Sequence, residues 1–271
     1  MQHTRLGLVA SITLAALLCG SYSALAQTAP PLGRVQSFAV LGGSAVTAAG
    51  PAGTVISGDV GSAPTPTITG FPPAIVTAGF TVYKAANAVT AGARIDAGNA
   101  YTNLAGQVCP PGNVIAGGIL GGRNLVPGVY CMGAGDLTGT LTLTGGPSDV
   151  WVFQMTGSTL TTAGASQIVL AGGASACNVY WQVASSATLG AASAFKGSIF
   201  SGVSISLGTT ANVVGRTIAG SGAVTLAGTD TIGGCSAPPV PTLPQWGASL
   251  LAAGLLGLGY LRLRRRSANA A

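Results

Sequence analysis

Side chains that could perform acid–base or metal chemistry are few in this chain of 271 residues. The acidic residues are all aspartates, Asp59, Asp96, Asp136, Asp149 and Asp230. The single histidine, His3, lies at the extreme N-terminus. Paired catalytic glutamates, a histidine-based triad and histidine-ligated zinc all need residues that are lacking, and the aspartates are dispersed. The sequence therefore predicts no enzyme, no cofactor and no metal site.

Four cysteines follow the predicted leader segment: Cys109, Cys131, Cys177 and Cys235. No CxxC pair occurs among them, and in an exported protein such cysteines are more often disulfide-bonded than metal-bound. Three pairings are open. We expect Cys109–Cys131, which would hold the end of a predicted helix to the next strand, and Cys177–Cys235, which would tie a loop to the last coil.

Targeting segments are predicted at both ends of the chain. Residues 1–26 have the features of a secretory signal peptide, with Arg5 before an apolar run and an Ala-Leu-Ala cleavage site at 24–26. At the other end, 237–245 is a proline-rich linker, 246–263 an apolar membrane helix and 264–271 a basic tail. We expect an exported protein of the cell envelope, or one secreted after the tail is processed.

The C-terminal segment resembles the IPTL-type sorting signal of Gram-negative bacteria. The motif is VPTLPQWG at 240–247 and includes Pro241, Thr242, Leu243 and Trp246, with Val240 in place of isoleucine. This resemblance implies two partners, the membrane before processing and the envelope sorting machinery.

The net positive charge comes mainly from the two ends of the chain. Arg5 and the four arginines among residues 262–266 contribute +5 of the formal net charge of +6, so the middle of the chain carries only +1. A nucleic-acid-binding protein needs a basic patch on its folded domain. The sequence therefore predicts no nucleic-acid partner.

Internal repeats organise residues 27–236. A Thr/Ser-Leu pair recurs at positions 140, 159, 188, 206 and 225, with spacings of 19, 29, 18 and 19 residues. The spacing of 29 becomes about 19 if a ten-residue excursion that contains 174–177 is looped out. Two further matches keep step with the pairs: WVFQM at 151–155 with VYWQV at 179–183, and GSIFSG at 197–202 with GRTIAG at 215–220. Short β-type segments with a period of 18 to 20 residues predict a mainly β solenoid in which each coil stacks on the last. The leucines are expected to form an inward ladder.

One segment, at about 84–107, departs from the repeats because it is rich in alanine and lacks proline. Its small and apolar residues recur at three- and four-residue steps, which predicts an amphipathic helix packed along one wall of the solenoid. The expected inner face consists of Val89, Ala93, Ala97, Ala100, Tyr101 and Leu104.

The block of repeats resembles the bacterial and fungal ice-binding domain family. The matching motifs span about 200 residues in order and include FAVL at 38–41, VISGDVG at 55–61, LVPGVYC at 125–131, ACNVYWQV at 176–183 and GAVTL at 222–226. The resemblance implies a right-handed β-helix with one long flanking helix, and adsorption to ice or ordered water.

The resemblance places the binding face just after the leucine ladder. Family members carry a four-residue pattern there: Thr first, Ala or Gly second, any residue third, and Thr or Asn fourth. This resemblance implies an ice-binding face that includes Thr162, Ala165, Ala191, Ala194, Thr209, Asn212 and Thr231. The aligned segments are 162–165, 191–194, 209–212 and 228–231. Only 209–212 has Thr first and Asn last, and its second residue is Thr210.

Solenoid folds also serve two other classes of function. Solenoid polysaccharide lyases and hydrolases use clustered acidic or basic residues along a groove, which the dispersed aspartates do not provide. A non-catalytic cell-surface adhesin or matrix protein is the alternative to ice binding. An adhesin would bind cells or glycans without affecting the growth of ice.

Overall fold

The computed structural model describes residues 27–50 and 53–236, and these fold into three parallel sheets that enclose a common core. The predicted signal peptide, linker, apolar helix and basic tail lie outside the described residues. No helix within 27–50 and 53–236 has the length and hydropathy needed to cross a membrane. Strands are numbered in chain order and are given below in their order across each sheet.

Sheet A contains β7 (Val82–Tyr83), β4 (Asp59–Ser62), β1 (Phe38–Gly42), β21 (Thr217–Ala219), β18 (Ser198–Ser201), β15 (Val179–Val183), β12 (Trp151–Met155) and β9 (Gly128–Met132). Sheet B contains β10 (Gly135–Leu137), β13 (Leu160–Thr162), β16 (Ala187–Leu189), β19 (Ile205–Leu207), β22 (Ala223–Leu226), β2 (Ala45–Ala48) and β5 (Thr67–Thr69). Sheet C contains β6 (Ile75–Val76), β3 (Val55–Ile56), β23 (Thr231–Gly233), β20 (Asn212–Val214), β17 (Ala194–Lys196), β14 (Gln167–Ala171), β11 (Thr140–Thr144) and β8 (Asn124–Leu125). Short 3-10 turns occur at Gly33–Ser37, Pro111–Asn113, Ala116–Gly118 and Ala176–Asn178.

The chain visits the sheets in the fixed order A, B, C, and each circuit pairs in parallel with the next. Two predicted alignments are confirmed by the register: Phe153 pairs with Trp181, and the segments that follow Gly197 and Gly215 are paired as Ile199 with Thr217. The leucine ladder is confirmed for Leu189, Leu207 and Leu226 in sheet B. Leu160 lies in the neighbouring inward row, and Leu141 belongs to sheet C.

The expectation that every coil stacks on the preceding one is wrong for the N-terminal strands. Strand β1 pairs with β21, β2 with β22 and β3 with β23, so the first coils of the chain are added beyond the last ones. The helix then carries the chain to the far end of the stack, where β8 begins. A helix of 18 residues is about 27 Å long, close to the roughly 24 Å occupied by five strand spacings between β1 and β9.

The helix α1 (Ala88–Ala105) is shorter than predicted at both ends. It begins where the Asn87 side chain accepts the backbone N–H groups of Val89 and Thr90, and the hydroxyl of Thr90 accepts the Asn87 backbone N–H. This capping box fixes the N-terminus because it satisfies backbone donors that lack helical partners. At the other end, the buried Gln154 side chain donates to the carbonyl oxygens of Leu104 at 2.7 Å and Gln107 at 2.8 Å.

Sheet A is buried on both sides. Inside the coils, Tyr130, Phe153 and Trp181 form an aromatic stack, in which the Phe153 and Trp181 ring centroids are 4.0 Å apart. Outside, the predicted helix face is confirmed for Ala93, Ala97, Ala100 and Leu104, which pack on Val152, Tyr180 and Phe200. Val89 was predicted to point inwards but is 41% exposed, and Thr90 is instead the buried residue of the first turn. Tyr101 is partly buried.

Candidate functional site

Three outer surfaces could contact a partner, and the helix covers one of them. The outer surface of sheet A packs against α1, so only sheets B and C present a wall to solvent. The aspartates do not meet on either wall, and within 27–50 and 53–236 no three His, Cys, Asp or Glu residues come together as a metal-binding group. The site must therefore be sought in the shape and composition of a surface.

Face B, the outer surface of sheet B, carries a central row in which one residue from each strand points outwards. The row is set by the register of all seven strands and consists of Asp136, Thr161, Thr188, Ser206, Thr225, Thr47 and Thr69. Neighbours in the row are about 4.7–4.9 Å apart, as in any sheet. Hydroxyl-bearing side chains thus line the whole face except for its first strand.

The residues that point outwards on either side of the central row are also small. Inward residues such as Ile205 and Leu207 separate the central row from flanking residues, because successive side chains of a strand alternate between the two surfaces. One flanking row includes Ser186, Ser204 and Ala223, and the other includes Ala163, Gly190 and Gly208. Asp136 is the only charged residue in the central row. Face B is consequently a surface of short side chains that present hydroxyl and methyl groups.

Sheet C offers a different surface. Its outward positions include the long Gln167, which donates to the Thr140 hydroxyl at 3.1 Å, and the charged Lys196. Branched apolar side chains also project there, with Val169 40% and Ile75 57% exposed. Side chains of such different lengths make an uneven wall.

The predicted ice-binding residues do not share one wall. Ala165, Ala191 and Thr209 lie on the corner between sheets B and C, whereas Ala194, Asn212 and Thr231 occupy the first outward row of sheet C. Thr162 is a correction, since it is only 3% exposed. That segment was aligned out of register: Thr161 pairs with Thr188, which places Thr162 opposite Leu189 on the inward side. The Thr162 hydroxyl accepts the Gly190 N–H at 2.9 Å. Whether the six other residues contact ice stays a prediction.

The central row of face B was missed, although its signal is present in the sequence. Thr188, Ser206 and Thr225 are the first members of the recurring Thr/Ser-Leu pairs, whose second members, the leucines, predict the inward ladder. Since strand side chains alternate, an inward leucine requires the preceding residue to point outwards. The hydroxyl residue of each pair was therefore the surface signal.

A buried carboxylate supports the corner between sheets B and C. Asp230 accepts backbone N–H groups from Ala211 at 3.0 Å and Gly228 at 3.1 Å, and its own N–H donates to the Thr54 hydroxyl. Burial raises the pKa of this carboxyl, and the backbone hydrogen bonds oppose that shift. Asp230 thereby joins three adjacent coils beneath a corner whose exposed residues include Thr210 and Thr229, both with a positive φ.

The corner between sheets C and A is closed by covalent and polar contacts. Both predicted disulfides are confirmed, and Cys177–Cys235 lies at this corner with its Cα atoms 5.3 Å apart. The buried Arg216 guanidinium donates to the carbonyl oxygens of Gln36 and Cys235 and to the Ser198 hydroxyl. Its burial lowers the pKa of the guanidinium to about 10, while nearby Tyr180 opposes that shift.

Known proteins share this architecture. Residues 40–232 match the family model described as ice-binding-like. An ice-binding protein of Nostoc sp. (strain HG1) is 40% identical over 265 residues, which cover 94% of this chain and 95% of the relative. The crystal structure of an ice-binding protein from an Antarctic biological consortium has a TM-score of 0.70 and 37% identity, covering 77% of this chain and 92% of that one. That of an ice-binding protein from the ascomycete Antarctomyces psychrotrophicus has a TM-score of 0.68 and 35% identity, with 76% and 98% covered. The chain therefore belongs to the ice-binding-like family.

Proposed function

We propose that this protein adsorbs to ice through face B and thereby inhibits ice growth and recrystallisation. The observation that carries the proposal is the central row of threonine and serine, flanked by small residues and uncharged beyond its first strand. A relative that bears the name ice-binding protein matches 94% of this chain and supports the assignment. No catalytic step is part of this function.

The physical argument rests on what ice presents to a protein. Its surface is an ordered array of oxygens without net charge, so recognition needs a rigid wall of regularly spaced groups. Threonine supplies a methyl group that orders water over shallow troughs and a hydroxyl that joins it by hydrogen bonds. Paired strands hold these side chains at regular intervals, and charged side chains would retain hydration that does not match ice.

We further infer that the coils form a right-handed β-helix and that the protein is exported. The handedness is supported by the strong preference of parallel strand connections for right-handed crossing. Export is supported by the sequence of 1–26 and by two disulfides, which persist in oxidising compartments.

The test replaces single threonines by tyrosine on three surfaces of residues 27–236. Thr188→Tyr places a bulky ring at an exposed position in the middle of face B and is expected to reduce thermal hysteresis several-fold, because it lifts neighbouring residues from the ice. Thr142→Tyr on sheet C is the matched control and should keep full activity. Each folded protein should lose no more than about 0.5 kcal/mol of stability, as is usual for surface changes.

Thr209→Tyr distinguishes face B from the corner between sheets B and C. If this variant loses activity and Thr188→Tyr keeps it, the binding surface includes the corner residue Thr209, which the sequence predicted as part of the ice-binding face. A folded parent domain that leaves ice growth unchanged at high concentration would refute ice binding and favour the adhesin alternative.

A further inference from the structure

A groove lies between α1 and the corner at which sheet A leads into sheet B. Its volume is about 370 Å³, at the lower end of the range for small-molecule sites. The helix contributes residues between Arg94 and Thr102, and the ends of β18 and β21 with the turns that follow them contribute positions 200–202, 218, 220 and 221. None of these lining residues belongs to sheet B, so the groove is distinct from face B.

The groove combines an apolar lining with hydroxyl groups. Ala97, Phe200 and Ile218 are each at most 3% exposed and belong to the cluster between α1 and sheet A. Four hydroxyl-bearing residues also line the groove: Tyr101, Thr102, Ser201 and Ser221. The Ser201 hydroxyl is buried and has no hydrogen-bond partner among the described residues. Because buried polar groups are normally paired, an occupant with an oxygen atom would complete this part of the groove.

Arg94 gives the groove its charge. One of its N–H groups donates to the carbonyl oxygen of Ala219 at 2.6 Å, and burial lowers the pKa of the guanidinium. None of the described residues that line the groove is acidic. Asp96 of α1 lies two positions along the helix, where side chains do not face each other, and it accepts the Arg34 N–H instead. A partly buried guanidinium without a carboxylate partner favours an anion, with which arginine forms paired hydrogen bonds.

Gly98 keeps the groove open. A Cβ atom at this position would meet no atom within 4 Å, whereas one at Gly92 of the same helix would collide with the Arg34 side chain. Glycine inside a helix costs stability relative to alanine. Packing within the described residues explains that cost at Gly92 but not at Gly98, where the missing side chain leaves space beside Arg94 and Tyr101.

We propose that this groove binds a small organic carboxylate with a compact apolar body. The carboxylate pairs with the N–H groups of Arg94 that Ala219 leaves free, and the body lies against Ala97, Phe200 and Ile218. The apolar lining favours such a ligand over an inorganic anion, and the single guanidinium favours it over a neutral molecule. This site does not depend on the proposed adsorption to ice, because face B contributes none of its residues.

The experiment titrates the purified full-length chain with benzoate by isothermal calorimetry, with benzyl alcohol as the neutral probe of similar shape. We expect saturable binding of one benzoate per chain and clearly weaker binding of benzyl alcohol. Arg94→Gln, which keeps a donor for Ala219, should weaken benzoate binding roughly tenfold, as expected for the loss of a charge-assisted hydrogen bond. Arg123→Gln removes the same charge from an exposed position outside the groove and should leave the affinity unchanged.

Gly98→Leu tests the groove without removing any contact. The new side chain should fill the space and abolish benzoate binding while the thermal unfolding temperature stays equal or rises, because leucine is the better helix former. Asn99→Leu, at the exposed neighbouring position, is the matched control and should bind like the parent. The proposal is overturned if the parent shows no saturable binding at millimolar benzoate, if benzyl alcohol binds as tightly, if the two arginine variants behave alike, or if folded Gly98→Leu keeps the parent affinity.

Discussion

At the scale of single residues, the candidate site depends on side chains that are small and uncharged more than on any that are reactive. Thr161, Thr188 and Thr225 each offer a hydroxyl and a methyl group on face B, and Ser206 offers a hydroxyl. A replacement is therefore judged by its size and its hydration. The charged member of the row is Asp136 on the outermost strand.

Replacing Asp136 is expected to strengthen ice binding. Its exposed carboxylate accepts the Thr138 hydroxyl at 3.0 Å and lies in register with Thr161. Asp136→Thr adds one hydroxyl and one methyl to the row and removes a strongly hydrated charge, so thermal hysteresis should rise modestly, by less than a doubling. Lys196→Thr, which removes a charge from sheet C, should have no effect. Lower activity in Asp136→Thr than in the parent would contradict an ice contact at this strand.

The buried carboxyl of Asp230 predicts a measurable pH dependence of stability. Because burial raises its folded-state pKa above the unfolded value of 3.8, the folded protein binds this proton more tightly. The contribution of this group to the free energy of unfolding is therefore fully present below the unfolded pKa of 3.8, and it is lost as the pH rises through the folded-state pKa. Asp230→Asn removes the dependence and leaves a buried N–H unpaired, which costs about 1–3 kcal/mol.

Urea unfolding of parent and Asp230→Asn between mildly acidic and neutral pH isolates this group. The stability difference between the two proteins should shrink as pH rises. A difference that stays constant would show that the carboxyl titrates alike in the folded and unfolded states, and one that grows would show that its folded-state pKa is lowered.

At the scale of elements, each disulfide fixes a segment that lies outside the strands. Cys109–Cys131 links the end of α1 to β9 across 22 residues, and Cys177–Cys235 links two turns of the C–A corner across 58. The chain-entropy estimate gives about 3 kcal/mol for the shorter loop and about 4 kcal/mol for the longer one. The second bond should therefore contribute more stability.

Paired replacement by alanine tests this order. Cys177→Ala with Cys235→Ala should lower the free energy of unfolding more than Cys109→Ala with Cys131→Ala, as measured by urea denaturation. The unreduced domain 27–236 should also contain no titratable thiol in denaturant. Two free thiols would mean that one bond does not form, and an inverted order of stability would show that strain or residual structure outweighs chain entropy.

At the scale of the whole molecule, the stacking order joins sequence-distant parts into one unit. Strands β1, β2 and β3 cover β21, β22 and β23, whose side chains Ile218, Val224 and Ile232 are at most 2% exposed. An ordinary stack of repeats could lose its first coils and leave an intact end. Here the loss of the N-terminal coils uncovers the coil that the C-terminal strands form.

Truncation should therefore prevent folding. A chain of residues 84–236 is expected to lack the cooperative unfolding transition of residues 27–236, because the inner edges of three sheets are exposed together. Adding residues 27–83 as a separate fragment should restore the transition, as followed by circular dichroism. A stable, soluble 84–236 fragment on its own would contradict the proposed interdependence of the coils.

The sequence by itself determined much of the local structure. The period of 18 to 20 residues in the last coils, the alignment of 151–155 with 179–183 and the helix core from Ala93 to Leu104 follow from spacing and composition, and the structure confirms them. These features could be predicted because side-chain alternation in strands and helical periodicity are local properties of the chain. Both expected disulfides also form, although the cysteines alone left three pairings open.

Only the tertiary structure decided which wall is free and where the first coils lie. Strands of sheets B and C share the same alternation, so the sequence could not show that α1 covers sheet A or that face B is the more even of the two remaining walls. The pairing of Val40 with Thr217 joins residues far apart in the chain and depends on the helix crossing the stack. Register decided the rest: a displacement in one coil placed Thr162 inside the core, because pairing with neighbouring strands fixes which side chains point inwards.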